Sequence, residues 1–353
     1  MTRIFAINPG ATSTKVGLYE DGVKLFSETV RHYKEEIQKY SKTIDQLEMR
    51  TKLIKAFLDE KNIPIESIDI FVARGGPFKQ MHSGTYEINE KMINDVKNGN
   101  VLADHVSNLA CMIADKLSQK GQKKYIVDPV SVDEFDEIAK ISGLKEIERK
   151  SLSHALNMKM IAKKWAKENN RKYDESNLIL VHLGTGISVS AHCKGKMIDV
   201  NNANDEGPFS PQRTGGLPST QLAKFSVSKG FSYDELKRKL TVQGGLYSYF
   251  ETDNVPEIIE KSKSGDKYAE LILNAMMYQV SKEIGAMSTV LKGKVDSIIV
   301  TGGIAYNKVL TDIIEERTSF IANICIYPGE DEIEALVEGV LRVLNNEEKV
   351  MEY

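Results

Sequence analysis

The feature that most restricts the fold is a strand–turn–strand pattern that occurs twice in the chain. Residues 3–22 and residues 177–195 each contain an apolar strand, a polar turn with a glycine, a second alternating strand and a closing hairpin glycine. The turn glycines Gly10 and Gly184 are separated by about half of the chain, and the hairpin glycines by the same distance to within one residue. Any two hairpins share some features, but an offset that holds across both turns indicates an internal repeat.

Helical and strand-like segments alternate around the two copies. Apolar residues at helical spacing predict helices over residues 43–61, 89–120 (broken by Gly99), 268–291 and 331–344. Short buried strands are predicted over residues 124–129 and 296–301. The alternation predicts an α/β fold, and the repeat predicts two similar lobes with ligands bound in a cleft between them. The length of 353 residues also fits two domains.

Composition and charge exclude several classes of partner. Hydrophobic residues make up 41% and charged residues 27% of the chain, as in soluble globular proteins, and the formal net charge is -3 with both signs interspersed. Such a surface offers no broad positive field to a nucleic acid. We find neither a signal-peptide pattern nor the roughly 18 consecutive apolar residues that span a bilayer, so we expect a cytoplasmic protein without membrane association. The cysteines Cys111, Cys193 and Cys325 form no CxxC pair and are expected to be reduced thiols.

The first polar turn, residues 8–15, has the sequence Asn-Pro-Gly-Ala-Thr-Ser-Thr-Lys. It brings the amide of Asn8, the hydroxyl of Ser13 and the ammonium group of Lys15 into one hairpin, where backbone N–H groups can also bind phosphate oxygens. The turn is not a Walker A loop, because GxxxxGK[ST] occurs nowhere in the chain, so a P-loop fold is disfavoured. An ordinary polar hairpin is the alternative.

Two further glycine turns follow predicted strands in the second half. The first is His182-Leu183-Gly184-Thr185-Gly186. The second is Gly302-Gly303-Ile304-Ala305-Tyr306-Asn307, directly before a predicted helix. Glycines let a phosphate chain approach the backbone closely, and a strand-to-helix turn suits a nucleotide. Three glycine turns at strand ends together predict nucleotide binding.

Two arginines lie close to glycine pairs. Arg74 directly precedes Gly75-Gly76, and Arg213 precedes Thr214-Gly215-Gly216. A guanidinium group beside flexible glycines can donate paired hydrogen bonds to a carboxylate or to a transferring phosphoryl group. Structural ion pairs are the alternative for both arginines.

Three other polar residues are weaker candidates for a functional site. His154 lies at the start of a predicted helix, where a histidine is more often structural than catalytic, and His105 has less support still. Asp128 ends a predicted buried strand before Pro129. It either holds Mg²⁺ or its waters, or it caps the next turn.

These segments together resemble the butyrate kinases, which belong to the acetokinase family within the superfamily of sugar kinases, heat-shock protein 70 and actin. The resemblance extends along nearly the whole chain and is most specific in residues 6–10, 13–15, 72–77, 147–151 and 301–305. It implies two duplicated actin-like (ribonuclease H-like) lobes, which accounts for the internal repeat. The implied boundaries are an N-terminal lobe over residues 1–150, joined by a C-terminal helix at about 336–353, and a C-terminal lobe with the nucleotide-binding turns over residues 151–335.

The resemblance also implies an enzyme. It would be a carboxylate kinase that uses ATP and Mg²⁺ to interconvert butyrate, or a similar short or branched fatty acid, and its acyl phosphate. A carboxylate is already an anionic nucleophile, so in-line phosphoryl transfer needs positioning and charge neutralisation rather than a general base. The expected partners are these small molecules and further copies of the chain in a homo-oligomer such as a dimer. The alternatives are an acetate, propionate or sugar kinase on the same fold, and a nucleotide-gated binding protein of the actin or chaperone type.

The resemblance implies that several matching positions bind the nucleotide or the metal. Asn8 is similar to an asparagine near Mg²⁺ and phosphate, and Lys15, with Ser13 in the same turn, to a lysine near ATP. Residues 182–186 resemble the phosphate-binding turn and residues 303–307 the adenosine turn. In the latter, this chain has Ala305-Tyr306-Asn307 where acetate kinases usually have Gly-Glu-Asn.

Catalytic roles are implied in the same way. Arg213 is similar to the arginine that contacts the transferring phosphoryl group, and His154 and Asp128 are similar to an active-site histidine and aspartate. The carboxylate near Mg²⁺ falls on either Asp331 or Glu332.

This chain differs from acetate kinases in the position of one arginine and in two residues that are candidates for the pocket of the substrate acid. The arginine that acetate kinases place before a His-Gly-Gly falls on Phe71 here, and Arg74 is expected to reach the same space from another position. Ala73 and Ser153 are smaller than the corresponding residues, which predicts room for a longer acid if both line the acyl pocket. Alternatively, Ser153 caps the helix that begins near His154.

Overall fold

The computed structural model describes residues 1–353, apart from the side chain of Lys34. Its backbone contacts divide into two compact units. The first unit contains residues 1–133, 155–160 and 331–353, and the second contains residues 134–154 and 161–330. Within the described part of the chain, none of the helices combines the length and the apolar character that crossing a bilayer requires.

The secondary structure alternates between strands and helices along most of the chain. The strands are β1 (Arg3–Pro9), β2 (Ser13–Glu20), β3 (Val23–Arg31), β4 (Ile70–Arg74), β5 (Thr85–Glu87), β6 (Lys123–Val127), β7 (Asn177–Leu183), β8 (Ile187–Cys193), β9 (Lys196–Val200), β10 (Ser297–Gly302) and β11 (Ile324–Pro328). The α-helices are α1 (Lys34–Ile37), α2 (Leu47–Glu60), α3 (Glu90–Lys97), α4 (Leu109–Leu117), α5 (Glu137–Lys140), α6 (Ala155–Glu168), α7 (Ser219–Lys229), α8 (Tyr233–Thr241), α9 (Gly245–Phe250), α10 (Val255–Lys263), α11 (Lys267–Val290), α12 (Lys308–Thr318) and α13 (Glu332–Leu344). Short 3₁₀ turns lie at Thr43–Gln46, Ile65–Ser67, Val106–Asn108, Tyr173–Glu175 and Gly303–Tyr306.

The sheets of the two units share a strand order. It is β3-β2-β1-β4-β6-β5 in the first unit and β9-β8-β7-β10-β11 in the second. In each sheet the first two strands of the repeat pair antiparallel, β1 with β2 and β7 with β8. The first strand also pairs parallel with the next strand, β1 with β4 and β7 with β10. The common order confirms the α/β fold and the duplication predicted from the sequence.

Matching two-residue turns connect the second and third strands of each sheet. Asp21-Gly22, between β2 and β3, has φ values of 48° and 81°, and Lys194-Gly195, between β8 and β9, has φ values of 48° and 83°. Positive φ at both positions is the type I′ geometry, whose twist matches that of the flanking strands. Glycine at the second position adopts this conformation without a Cβ clash.

The first sheet is covered on both faces. Alternate residues of its central strands point to opposite sides, and each side packs into its own buried cluster. On β1, Phe5 belongs to a buried cluster that includes Ile54 of α2 and Ile113 of α4. Its neighbour Ile4 belongs to a second cluster, which includes Leu336 of α13. The C-terminal helix is therefore part of the core of the first unit.

Helix α11 covers a face of the second sheet. Met276, Val280 and Ile284 are fully buried in one cluster with Val181 of β7 and Val189 of β8. Their spacing of four residues puts all three on one side of the helix. The long helix predicted over residues 268–291 is confirmed.

The predicted helix over residues 89–120 is wrong in its extent. Helix α3 ends at Lys97, Gly99 adopts a φ of 72°, and α4 begins only at Leu109. A left-handed glycine shortly after a helix is a common termination signal. In the connecting segment, Nδ1 of His105 accepts a hydrogen bond from the N–H of Ser107 at 3.2 Å and caps a 3₁₀ turn. His105 therefore has a structural role at a helix start.

Candidate functional site

In the first unit, three candidate residues lie at one edge of the sheet. The parallel register of β1 with β4 and of β4 with β6 places Asn8, Arg74 and Asp128 at or directly after the carboxyl ends of these neighbouring strands. This edge of a parallel sheet is where α/β proteins bind their ligands. The strand order thus gathers residues that are far apart in sequence.

Glu332, the first residue of α13, connects two of these side chains. Its carboxylate accepts a hydrogen bond from Nδ2 of Asn8 and pairs with Arg74, with 2.5 Å between Nη1 and Oε1. The same Nη1 lies 3.5 Å from Oδ1 of Asn8. An amide, a carboxylate and a guanidinium group therefore form one cluster, which we call the strand-end cluster: Asn8, Arg74 and Glu332.

Asp331 has surroundings different from those of Glu332. Its carboxylate caps α13 by accepting the N–H of Glu334 at 3.1 Å, and it pairs with Lys24 at 3.0 Å and with Lys15 at 3.9 Å. Burial alone would raise the pKa of Asp331, but the N–H of Glu334 and the two ammonium groups lower it. Of the two carboxylates that the sequence left as alternatives, Glu332 belongs to the strand-end cluster and Asp331 holds a helix end.

Asp128 is buried and held in an unusual backbone conformation. Its φ of 38° lies in the left-handed region, which residues other than glycine seldom adopt. Its Oδ1 accepts hydrogen bonds from the hydroxyl of Ser83 at 2.6 Å and from the N–H of Gly84 at 2.9 Å. These two hydrogen bonds fix the direction of the carboxylate at the edge of the sheet.

The polar turn between β1 and β2 is closed by a hydrogen bond from the N–H of Gly10 to the carbonyl of Ser13 at 2.7 Å. Ala11 and Thr12 are exposed at its tip. Lys15 follows on β2, and its side chain is 40% exposed. The turn therefore presents backbone and side-chain donors to solvent, as a site for an anion requires.

In the second unit, the rings of His154 and His182 stack on each other. Their centroids are 4.0 Å apart and their planes differ by 15°. His182 is buried at the end of β7, and its Nε2 lies 3.2 Å from a carboxylate oxygen of Glu330. Nδ1 of His154 lies 3.0 Å from the hydroxyl of Ser188 on β8. The sequence assigned the two histidines to different tasks, and the structure places them side by side.

Arg213 lies against the glycine turn that follows β7. A Cβ at Gly186 would overlap Nη1 of Arg213, so the glycine lets the guanidinium group rest on the turn. Oγ of Ser210 accepts the N–H of Arg213 at 3.2 Å and donates to the carbonyl of Thr185 at 2.6 Å. Burial lowers the pKa of Arg213, although an arginine stays protonated at neutral pH. A desolvated positive charge therefore lies beside the turn.

A pocket of about 570 Å³ opens beside the same turn. The candidate residues that line it are Gly184, Thr185, Gly303, Ile304 and Asn307. Its volume is within the range of roughly 300–1,000 Å³ that is usual for small-molecule sites. Two glycine turns that lie far apart in sequence thus share one pocket.

Other candidate residues of these turns lie behind the pocket. Leu183 and Ala305 are buried in the core cluster of the second unit. Gly302 has a φ of 95°, and a Cβ there would overlap the carbonyl of Leu183, so a glycine is needed where β10 approaches β7. The side chain of Asn307 also caps α12 by accepting the N–H of Leu310 at 3.3 Å.

The remaining wall of the pocket was not predicted from the sequence. Apart from Tyr306, which lies in the predicted adenosine turn, it includes Pro211, Glu330 and the start of α10, with Asp253, Asn254, Val255, Pro256, Ile259 and Glu260. An asparagine followed by a proline within the first helical turn is a helix-start signal, and Asn254 does cap α10. That signal says nothing about which distant turn the helix start contacts.

Known proteins similar to this chain share its length and its fold. The model of the acetokinase family matches residues 144–326. Butyrate kinase 2 of Clostridium acetobutylicum is 48% identical over 353 residues, which covers 99% of this chain and 99% of that protein. Butyrate kinase 1 of the same organism is 48% identical over 355 residues and covers 100% of both.

Among solved structures, the acetate kinase of Porphyromonas gingivalis matches with a TM-score of 0.80 at 18% identity, covering 98% of this chain and 100% of that one. This likeness supports the fold of two actin-like lobes. The family model covers more than half of the chain, and the relatives cover nearly all of it at high identity. The chain therefore belongs to the acetokinase family.

Proposed function

We propose that this chain is a butyrate kinase: it transfers the γ-phosphoryl group of ATP to butyrate or a similar short fatty acid, and it catalyses the reverse reaction from the acyl phosphate and ADP. The observation that carries the proposal is the 48% identity to two butyrate kinases along nearly the whole chain. The arrangement of the candidate residues within each unit is consistent with it.

The second unit offers a site for ATP. The pocket of about 570 Å³ has apolar walls for a base, including Val255, Ile259 and Ile304, and it adjoins the backbone of two glycine turns. Small residues at Gly184 and Gly303 leave room for a phosphate chain near the backbone. We therefore assign nucleoside binding to this pocket and phosphate binding to the turn at residues 182–186.

The strand-end cluster of the first unit fits Mg²⁺. Asn8 and Glu332 both carry oxygens, the ligands that this cation prefers. The described residues contain no group of three or more His, Cys, Asp or Glu side chains suited to a metal. Mg²⁺ in kinases needs only one or two carboxylates, because it keeps several waters and shares phosphate oxygens. When bound, it neutralises charge on the phosphate groups of the substrate.

The reaction consists of one displacement at phosphorus. A carboxylate oxygen of the acid forms a bond to the γ-phosphorus, the bond from that phosphorus to the bridging oxygen breaks, and ADP leaves with the electron pair. No proton has to be removed from the acid, since it is ionised at neutral pH. Arg213 is the residue we assign to the charge on the transferring group.

Two further side chains are assigned positioning or donor roles. His154 is fixed by the hydroxyl of Ser188 and by the stacked ring of His182, so its ring direction is set before a substrate binds. Asp128 is fixed by Ser83 and Gly84 at the carboxyl edge of the first sheet. Groups that are already oriented lose little entropy when they act on a substrate.

The first prediction concerns the acid. With ATP and hydroxylamine, the protein should form hydroxamates from a series of acids from acetate to valerate, and kcat/KM should be about tenfold higher for butyrate than for acetate. The reason is that two further buried methylenes contribute about 0.8 kcal/mol each. Initial rates across the series measure the ratio.

Each alternative activity has its own outcome in this assay. Sugars phosphorylated without hydroxamate would indicate a sugar kinase, and slow ATP hydrolysis without either product would indicate a nucleotide-gated binding protein. Acetate preferred over butyrate would indicate an acetate kinase. Each of these results contradicts the proposal.

Of the two small residues considered for the acyl pocket, Ser153 remains the stronger candidate. Ala73 packs into the core cluster of the first unit together with Phe71. Ser153 is buried, and its hydroxyl lies 3.7 Å from the sulfur of Met197. It does not cap the following helix, because the residue at the N-cap of α6 is His154 and that helix start has no side-chain cap.

The second prediction tests whether Ser153 limits the length of the acid. Ser153→Phe should lower kcat/KM for butyrate about tenfold relative to acetate, because the ring takes the space of about two methylenes. Ser153→Ala is the matched control and should keep the wild-type ratio. Melting curves identify variants that fold. A folded Ser153→Phe variant with the wild-type ratio would place the acyl pocket elsewhere.

A further inference from the structure

Arg50 is a fully buried arginine beside the polar turn between β1 and β2. It lies in the first half of α2, with 0% of its surface exposed. Its guanidinium group donates hydrogen bonds to the carbonyl oxygens of Gly10 at 2.9 Å, Ala11 at 3.0 Å and Ser13 at 3.3 Å. One side chain from a helix therefore holds three carbonyls of a turn.

The other hydrogen bonds of Arg50 also go to uncharged groups. Nη1 lies 3.4 Å from Oγ1 of Thr14, and both Nε and Nη2 donate to Oε1 of Gln46, at 3.1 and 2.9 Å. Burying a cation against neutral acceptors is unfavourable, and an apolar side chain would fill the space without that cost. Burial lowers the pKa of Arg50 to about 10, which still leaves it protonated at neutral pH.

His32 shares this site without adding charge. Its Nε2 lies 2.8 Å from Oγ1 of Thr14. Burial, and then the charge of Arg50, lower the pKa of His32 to about 4, so the ring is neutral at pH 7. The positive charge behind the turn therefore comes from Arg50.

The carbonyls held by Arg50 determine where the amides of the turn point. All peptide bonds of the described chain are trans, so a carbonyl and the N–H of the next residue point in opposite directions. With the carbonyls of Gly10 and Ala11 turned inward, the N–H groups of Ala11 and Thr12 are turned outward, at the exposed tip. Successive outward amides form an anion-binding nest.

We propose that Arg50 is a positioning residue: it binds the inner carbonyls of the turn so that the N–H groups of Ala11 and Thr12 donate hydrogen bonds to the phosphoryl group that is transferred, with its own buried charge behind them. The identity of the anion rests on the proposed function. The presence of an anion site at this turn does not.

Binding can be measured on the full-length protein without catalysis. Inorganic phosphate is the probe, and the signals are the amides of Ala11 and Thr12 in protein labelled with ¹⁵N-alanine and ¹⁵N-threonine. Phosphate should shift both signals in the wild type. Arg50→Met removes the charge and the carbonyl contacts and should weaken this binding about 10–100-fold, the range for lost hydrogen bonds to a charged group.

The matched control is Arg342→Met. Arg342 belongs to the same unit, but it pairs with Glu348 at 2.9 Å instead of the turn. This variant should bind phosphate as the wild type does. Two results overturn the proposal: wild-type amides of Ala11 and Thr12 that do not respond to phosphate, and a folded Arg50→Met protein that binds phosphate with wild-type affinity.

Arg50→Lys decides the matter if Arg50→Met does not fold, because lysine keeps the charge and loses the paired hydrogen bonds. In the reaction of butyryl phosphate with ADP, KM for butyryl phosphate should rise about tenfold, while KM for ADP stays close to wild type. Unchanged KM values overturn the proposal. If the wild type binds phosphate at the turn but transfers no phosphoryl group, the proposed function fails and the anion site stands.

Discussion

Replacing Arg213 with alanine should lower kcat by about 10²–10³-fold, the loss seen when a donor to developing charge is removed from an active site. The guanidinium group rests on Gly186 and is tied through Ser210 to the same turn. Its partial burial leaves its charge less screened than a surface charge would be. Negative charge on the transferring phosphoryl oxygens is what we expect it to neutralise. Steady-state turnover of butyrate at saturating ATP and Mg²⁺ measures the loss.

Two further variants test whether the position of the Arg213 guanidinium group matters and whether the loss is specific to this arginine. Gly186→Ala keeps Arg213 but adds a Cβ that overlaps its Nη1, so kcat should also fall. Arg317→Ala removes an exposed arginine of the same unit, which lies 5.2 Å from the ring of Tyr278, and should stay within about twofold of wild type. A folded Arg213→Ala enzyme within about threefold of wild type would remove Arg213 from the mechanism.

Replacing Glu332 with glutamine should raise the Mg²⁺ concentration for half-maximal rate by at least about 10–100-fold, since even groups that only contact a metal ligand cost that much when lost. Glutamine keeps the size of the side chain but removes the negative charge. It also takes away the carboxylate that pairs with Arg74 at 2.5 Å, which leaves a half-buried cation less compensated. Rates titrated with free Mg²⁺ at fixed ATP measure the effect.

Asp331→Asn is the matched control for this prediction. Asparagine caps a helix about as well as aspartate, so the hydrogen bond from the N–H of Glu334 can be kept. The neighbouring Lys24 loses an exposed ion pair, which as a rule contributes little to stability. The Mg²⁺ dependence should stay near wild type. A folded Glu332→Gln enzyme with the wild-type Mg²⁺ dependence would exclude Glu332 as a metal ligand.

Local signals were sufficient to predict much of the fold. The two hairpins are visible in sequence because glycines such as Gly22 and Gly195 are needed at positions of positive φ, and the apolar spacing along α11 is that of a helix. The duplication then followed from distances along the chain. Helix α3 was extended too far because the loop after Gly99 contains enough apolar residues to continue a helical pattern.

The candidate site was less predictable, because its contacts join distant segments. The residues at the start of α10 are far from the glycine turns in sequence, and only the folded chain brings them to the same pocket. Separating Glu332 from Asp331 required the geometry of one helix start. The position that carries an arginine in acetate kinases is Phe71 here, which is buried in the core, whereas Arg74 points to the strand-end cluster. Whether Arg74 replaces that arginine stays a prediction.

Arg50 shows a signal that is present in the sequence and easily passed over. It lies three residues after Leu47 and four before Ile54, so it occupies a position in the apolar stripe of α2. A cationic side chain at such a position either extends to solvent or donates hydrogen bonds to buried polar groups. In this protein it donates hydrogen bonds to backbone carbonyls of the turn between β1 and β2.

The first unit draws its core from the two ends of the chain, with consequences for synthesis on the ribosome. Leu336 and Val340 of α13 share a buried cluster with Ile4 and Val72, so this face of the first sheet lacks its helix until α13 has been translated. The second unit, whose segments all precede residue 331, can close earlier. Glu332 arrives together with the helix that completes the core. A nascent chain that lacks α13 therefore cannot assemble the strand-end cluster, so phosphoryl transfer would begin only after this helix has joined the first unit.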